Sequence, residues 1–331
     1  MKPGSFLHSI PLLAATLFAT SLPSLAQGLP PSFRAGNAAA GGNDPIVIKT
    51  EIVSFPVAVI DNQGRYFAGL DKTAFTVFED DVAQEISFFR LDDGPATIAV
   101  VFDLSGSMNG GKIQRARGAL SRFVRTGHQD DEYSLISFSN QANVSLGRAC
   151  DGEALMRYVA NATPRGHTAL YDAISMGLDQ VAQGQWSKRA IIVISDGEDN
   201  HSRISPKKLK QMVGESGATV YAVVIEDLLP RAFAGSEMRE LAAISGGAAF
   251  FPGNAEQIAE AFDKIAVDLR RRYSIGYIPS NFSADGRWRR LKVKITPPPG
   301  APHLAALARK GYYASTDHAR QEGREVISGR K

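Results

Sequence analysis

The sequence predicts an α/β domain with a mostly parallel central sheet and helices on both faces, carried on a small β-sandwich built from the flanking segments. Three observations point there. Continuous apolar runs at Ile98–Phe102, Ile191–Ile194 and Val220–Ile225 suit strands buried on both faces of a parallel sheet. Apolar residues at helical spacing lie between those runs, and strand alternating with helix is the pattern of a layered α/β domain. Before Gly94 and after Arg272 the helical periods stop, and short β segments replace them.

In chain order, residues 1–26 read as an export signal. Lys2 gives a positive start, and Ile10 to Leu22 is apolar but short of the roughly 20 residues that span a bilayer. Ser24-Leu25-Ala26 then puts small residues where a signal peptidase reads, predicting cleavage after Ala26. Residues 27–45, mostly Gly, Ala, Asn and Pro, form a flexible leader. Residues 46–95 supply the first half of the sandwich: Val53, Phe55, Val57 and Val59 alternate, Asn62-Gln63-Gly64 turns the chain, and Phe75–Phe78 and Ile86–Phe88 follow.

The α/β domain is placed over 96–272. Its helical stripes are Ile113, Ala116, Leu120, Phe123 and Val124, then Leu170, Ile174, Leu178 and Val181, then Ile258, Phe262, Ile265 and Leu269. Ser205-Pro206 opens a further helix, a hydroxyl cap followed by proline in the first turn, and Gly217 stops it. Residues 273–313 return to β at Tyr273–Ile278, Leu291–Ile295 and Gly311–Tyr313 and complete the sandwich. Residues 314–331 read as a charged, disordered tail.

Composition narrows the function classes. A net charge of +3 from 37 basic and 34 acidic side chains gives no support to a nucleic-acid binder. The charge is uneven: residues 270–331 hold 14 Lys/Arg against 4 Asp/Glu, which leaves the preceding 269 residues at −7. That basic end reads as a solvated surface before it reads as a contact for an acidic partner. Cys150, the one cysteine, excludes an intramolecular disulfide and any CxxC zinc site. No cysteine directly follows the signal, which excludes a lipoprotein anchor, and no other window reads as transmembrane. A periplasmic or extracellular protein, away from cytoplasmic nucleotides, is expected.

The chemistry gathers in three loops. Asp103-Leu104-Ser105-Gly106-Ser107 follows the first buried strand, Ser195-Asp196-Gly197 follows another, and Gly166-His167-Thr168-Ala169-Leu170 opens a helix between them. In an open parallel sheet the carboxyl ends of the strands share one edge, and ligands collect in the crevice there. Asp103, Ser105, Ser107, Thr168 and Asp196 should therefore meet at one rim. All five are oxygen donors. Two carboxylates and three hydroxyls suit a hard cation such as Mg²⁺, or Mn²⁺ or Ca²⁺ in its place. Two aspartates neutralise such an ion without overcompensating, so a vacant coordination place can take a carboxylate from another protein.

These residues carry a resemblance. DLSGS, GHTALYDA and ISDGEDN resemble the three loops of the metal-ion-dependent adhesion site of von Willebrand factor type A domains. In that motif Asp-x-Ser-x-Ser, a Thr and an Asp hold a divalent cation that docks an acidic side chain. FTVFEDDVAQEISFF, SGGAAFF, LRRRYSIGYIPS and ARKGYY further resemble secreted bacterial VWFA-related proteins best known from Acidobacteria, over about residues 46–313. The resemblance implies a Rossmann-like domain, a metal site at Asp103, Ser105, Ser107, Thr168 and Asp196, and a protein partner offering Asp or Glu. It also implies an adhesion module rather than an enzyme. His167 departs from the family, which commonly has Gly there.

Other readings compete. Gly106 to Lys112 matches GxxxxGK, but Ile113 stands where a phosphate-binding loop needs Ser or Thr to hold Mg²⁺. Ser105 or Ser107 with His167 or His201 could make a serine hydrolase, but no G-x-S-x-G elbow exists. A degenerate scaffold without metal is the third. Glu198, Asp199 and Asn200 read as a solvated loop beside the metal, Asn140 as a turn before it reads as lining the same face, and Arg270, Arg271 and Arg272 as cations closing the last helix.

Overall fold

The computed structural model describes residues 52–196, 199–225 and 234–315. The export signal, the leader, the first residues of the 46–95 segment, Gly197, Glu198 and nearly all of the tail lie outside the described residues.

The chain begins with four strands: β1 (Val53–Asp61), β2 (Phe75–Glu79), β3 (Val82–Gln84) and β4 (Ile86–Asp92). Asn62-Gln63-Gly64 does turn the chain after β1, with Gly64 N–H donating to the Asp61 carbonyl at 3.0 Å and φ at 74°. An alternation of strands and helices follows: β5 (Thr97–Asp103), α1 (Gly111–Arg125), β6 (Glu132–Phe138), β7 (Ala142–Ala149), α2 (Gly152–Asn161) and α3 (Leu170–Ala182). It continues with β8 (Arg189–Ser195), α4 (Pro206–Ser216), β9 (Thr219–Val224), α5 (Ala234–Ser245), β10 (Ala249–Phe250) and α6 (Ala255–Arg270). The last strands are β11 (Arg272–Tyr277), β12 (Trp288–Ile295), β13 (Leu304–Ala308) and β14 (Gly311–Tyr313). Among the described residues no helix is long and apolar enough to cross a membrane.

The central sheet runs β10-β9-β8-β5-β6-β7, parallel throughout except for the antiparallel edge strand β7. Alternate residues of its buried strands feed two cores. Ile98, Val100 and Phe102 of β5 and Ile192 and Ile194 of β8 pack on α1, α2 and α6 through Leu120, Phe123, Leu155 and Phe262. Ala99 and Val101 of β5 and Ile191 and Val193 of β8 pack on α3, α4 and α5 through Ile174, Leu178, Val213 and Leu241. Both faces are therefore covered, which is why the interiors of these strands are continuous apolar runs. Helix α4 starts and stops where the sequence says. The Ser205 hydroxyl accepts from Lys208 N–H at 3.3 Å, and Gly217 takes the left-handed conformation at φ 67°.

The flanks interleave. One antiparallel sheet runs β13-β1-β11-β4 and the other β14-β12-β2-β3, so each holds strands from both ends of the chain. Val53 pairs with Tyr277 and Leu291 with Glu79, and Phe55, Val57, Phe75, Val77, Tyr273 and Ile275 form their shared core. Buried Glu79 accepts from the hydroxyls of Tyr277 (2.5 Å) and Tyr312 (2.7 Å). The described residues form one compact unit.

Of the three arginines that end α6, Arg272 departs from the sequence reading. Arg272 is 2% exposed and donates to Asp268 from Nε at 3.1 Å and to the Gly246 carbonyl at 2.8 Å, while Arg270 bonds the Asp131 carboxylate and the Gly94 carbonyl. Arg272 is an interior strut between α6 and the amino edge of the sheet, not a solvated cation. Arg270, in the last turn of α6 and 23% exposed, and the exposed Arg271 at its carboxyl cap close the helix as read.

Candidate metal centre

The strand order reverses at β5. The chain leaves β5 through α1 to reach β6 on one side, and returns through α3 to lay β8 on the other. A crevice opens at the carboxyl end of the strand where such a reversal occurs. Asp103 is the last residue of β5, and Asp196 directly follows β8.

Asp103 is buried at 0% exposure. Its Oδ1 accepts from Ser105 N–H at 2.7 Å and its Oδ2 from the Ser195 hydroxyl at 2.5 Å. Ser105 is 1% exposed, and its Oγ lies 3.0 Å from Ser107 Oγ. Burial pushes the Asp103 carboxyl up to about 6; the Ser105 and Ser195 bonds oppose that rise, and the nearby Asp196 carboxylate adds to it. Among the described residues no cationic side chain pairs with Asp103. Asp196 does have a cation: Lys112 Nζ, in the first turn of α1, sits 3.1 Å from its Oδ2 with both side chains largely sheltered.

Thr168 is brought to the same rim by backbone staples. Gly106 N–H donates to the Gly166 carbonyl at 3.0 Å and Arg165 N–H to the Leu104 carbonyl at 2.7 Å, tying the Thr168 loop to the Asp103 loop. Thr168 N–H donates to Asn200 Oδ1 at 3.0 Å, and the N–H groups of Asn200 and His201 donate back to the Thr168 carbonyl at 3.0 and 3.2 Å. Thr168 itself is 4% exposed. Gly166 has φ 82°, and Asn140 Oδ1 accepts from His167 N–H at 2.7 Å, so the β6–β7 turn holds the loop from its outer side.

The structure thus places all five sequence-named residues on three loops that are bonded to one another. Several participants escaped sequence reading. Ser195 was quoted only as a neighbour, yet it is the hydroxyl on Asp103. Lys112 counted only as part of a phosphate-loop decoy. Asn140 holds the Thr168 loop as well as forming a turn. Asp199 and Asn200 are more than a solvated loop: Asp199 is half-buried and accepts from Tyr171 N–H at 3.3 Å and from the Ser202 hydroxyl, while Asn200 caps Thr168. Short polar side chains two to four residues beyond a strand end were the available signal. His167 and His201 are exposed and stack on each other, ring centroids 5.0 Å apart at 14°.

The donor set fits a hard divalent ion. A buried carboxylate with only neutral donors, a second carboxylate beside it and two hydroxyls in contact form an all-oxygen site that lacks positive charge at its deepest point.

Residues 98–198 match the family model of the von Willebrand factor type A domain. The reversing parallel sheet, the three-loop rim and this match define the class: the chain carries a von Willebrand factor type A domain. Inter-alpha-trypsin inhibitor heavy chain H4 of Sus scrofa is 26% identical over 204 residues, covering 56% of this chain and 22% of that protein. The chain spans about a quarter or less of the length of the curated relatives it matches. Among solved structures, a von Willebrand factor type A protein from Catenulispora acidiphila aligns at 14% identity and TM-score 0.46, covering 80% of this chain and 75% of that one. Proximal thread matrix protein 1 from the mussel byssus, solved with a zinc-occupied MIDAS motif, aligns at 18% identity and TM-score 0.48, covering 57% and 50%.

Proposed function

We propose that this protein is an exported, non-enzymatic binding module that holds a divalent cation at the rim and presents it to an acidic side chain of a partner protein. Asp103, Ser105, Ser107, Thr168 and Asp196 would hold the ion, with Mg²⁺ as the expected occupant and Mn²⁺ or Ca²⁺ as substitutes. When bound, the ion supplies an electrophilic coordination place for a carboxylate oxygen. The protein's own contribution is to hold its donors in fixed loops and to keep Asp103 out of water.

One observation carries this reading. Asp103 is fully buried, accepts only from neutral groups, and lies close enough to Asp196 for the two carboxylates to repel. Such an arrangement costs stability unless a cation completes it. The enzyme readings lose support on the same residues. Ile113, where a phosphate loop needs a hydroxyl, is 4% exposed within the core. Ser105 Oγ contacts Ser107 Oγ, while the imidazoles of His167 and His201 stack on each other.

Isothermal titration with Mg²⁺ and Mn²⁺ tests the metal. Wild type should bind one ion and Asp103→Ala none; no binding by wild type makes the domain a scaffold. Pull-down from envelope extract with and without EDTA tests the partner. A protein retained only without EDTA supports the proposal, and identical capture in both conditions contradicts it.

A further inference from the structure

Among the described residues, Lys112 is a cation already paired at the rim. It is the second residue of α1, its Nζ lies 3.1 Å from Asp196 Oδ2, and the two side chains are only 13% and 10% exposed. Screening by solvent is weak at that burial, so its charge acts on anything placed between Asp196 and Asp103. The charge balance then differs from that of the five ligands alone. Of these three side chains, Asp103 and Asp196 contribute −2 and Lys112 contributes +1, a net −1 before any ion arrives. A divalent cation would take it to +1, and one incoming carboxylate would bring it to zero. Without Lys112 the same ion would neutralise the rim, and a carboxylate would arrive at a site with no surplus positive charge.

Resting on the metal-docking reading above, we infer that Lys112 is a tethered counter-charge that weakens cation binding by the empty-handed protein and links it to the arrival of the partner's carboxylate. Linkage makes this reciprocal: a carboxylate that tightens the ion is tightened by it to the same degree. The ammonium also holds Asp196 in place when no ion is there, so the rim keeps its shape between binding events. A residue that only oriented Asp196 would act in the opposite sense, since losing it would loosen the ion.

Calorimetric titration of Mg²⁺ into the full chain, alone and at increasing acetate, separates these roles. Lys112→Gln keeps a donor and removes the charge; Lys112→Arg keeps the charge. Lys112→Gln should bind Mg²⁺ alone about tenfold more tightly than wild type and lose most of the acetate enhancement, while Lys112→Arg keeps it. Thermal melts in EDTA and in Mg²⁺ supply a second readout. Lys112→Gln should melt lower than wild type in EDTA and gain more from Mg²⁺. Equal or weaker Mg²⁺ binding by a folded Lys112→Gln overturns the inference and leaves the docking reading intact, provided wild type binds and Asp103→Ala does not. If wild type binds no Mg²⁺, both fall together.

Discussion

Asp103 and Asp268 are both buried at 0% exposure, one at the carboxyl edge of the central sheet and the other in the last turn of α6 near the opposite edge. Asp268 is matched by a cation: Arg272 donates to it, and the Tyr221 hydroxyl adds a bond at 2.7 Å. Asp131, which bonds Arg270 and accepts from Ala96 and His128 N–H groups at 2.8 Å each, follows the same rule. Among the described residues Asp103 has only neutral partners, Ser105 and the Ser195 hydroxyl, with a second carboxylate nearby. Buried charge with a built-in partner reads as architecture, and buried charge without one as a place for a ligand. The α6–β11 joint is therefore a clamp rather than a hinge made of mobile contacts. Motion passed from the rim to the sandwich would have to travel with the Asp268–Arg272 pair intact.

The largest effect expected from this contrast is at the clamp. Asp268→Ala leaves Arg272 buried without its counter-ion and should cost about 3–5 kcal/mol. Asp103→Asn removes the charge but keeps an acceptor and a donor, and in EDTA at about pH 5, where much of the wild-type carboxyl is protonated, should stay within about 1 kcal/mol of wild type. Urea denaturation of the two variants measures both, and equal losses would erase the distinction drawn here. In Mg²⁺ the order of interest changes, because Asp103→Asn should lose the ion-induced stabilisation that Asp268→Ala retains.

A smaller effect is expected from pH. The Asp103 carboxyl rises from 3.8 to about 6 on folding, chiefly through burial. Between those values the folded state binds more protons than the unfolded chain. The contribution is thus fully present below 3.8 and is lost as pH rises through about 6. In EDTA, wild type should gain on Asp103→Asn by about 1–3 kcal/mol as pH falls from about 8 to about 4. Parallel stability curves for the two proteins would show that burial does not penalise this carboxylate.

Legibility followed the same division between apolar packing and polar partnership. Strands β5, β8 and β9 were readable because both faces are apolar, α1, α3 and α6 because their apolar stripes are regular, and α4 because Ser205-Pro206 and Gly217 cap it. β6 was missed because buried Ser134 and Ser137 interrupt its apolar run, and β13, Leu-Ala-Ala-Leu-Ala, has the composition of a helix. β3 was missed because its hairpin turns at Asp80-Asp81, both at positive φ (45° and 67°), without the glycine that usually marks such a turn. At the rim, residue types on strand ends named the five oxygen donors. Lys112 stayed hidden, and Asn140 was placed near the face without its bond to His167, because these pairings span 84 and 27 residues and no local pattern encodes them.

The smallest effects compare two glycines. Gly166 and Gly217 both hold positive φ, at 82° and 67°, so alanine at either should cost about 1–2 kcal/mol from backbone strain alone. Their surroundings differ. A Cβ on Gly217 would have only Arg309 Nη1 nearby, at 3.8 Å, whereas on Gly166 it would lie 2.4 Å from Asn140 Oδ1, the atom that accepts from His167 N–H. Gly217→Ala should therefore lower stability and leave Mg²⁺ affinity alone. Gly166→Ala should lower both, because displacing Asn140 releases the loop that positions Thr168. Adding Asn140→Ala to Gly166→Ala frees the space but restores neither the bond nor the strained φ, so stability should recover in part while Mg²⁺ affinity stays low. Mg²⁺ titration of the four proteins decides it. Wild-type affinity in Gly166→Ala would mean that the placement of Thr168 does not matter to the ion, and the rim would then rest on Asp103, Ser105, Ser107 and Asp196 alone.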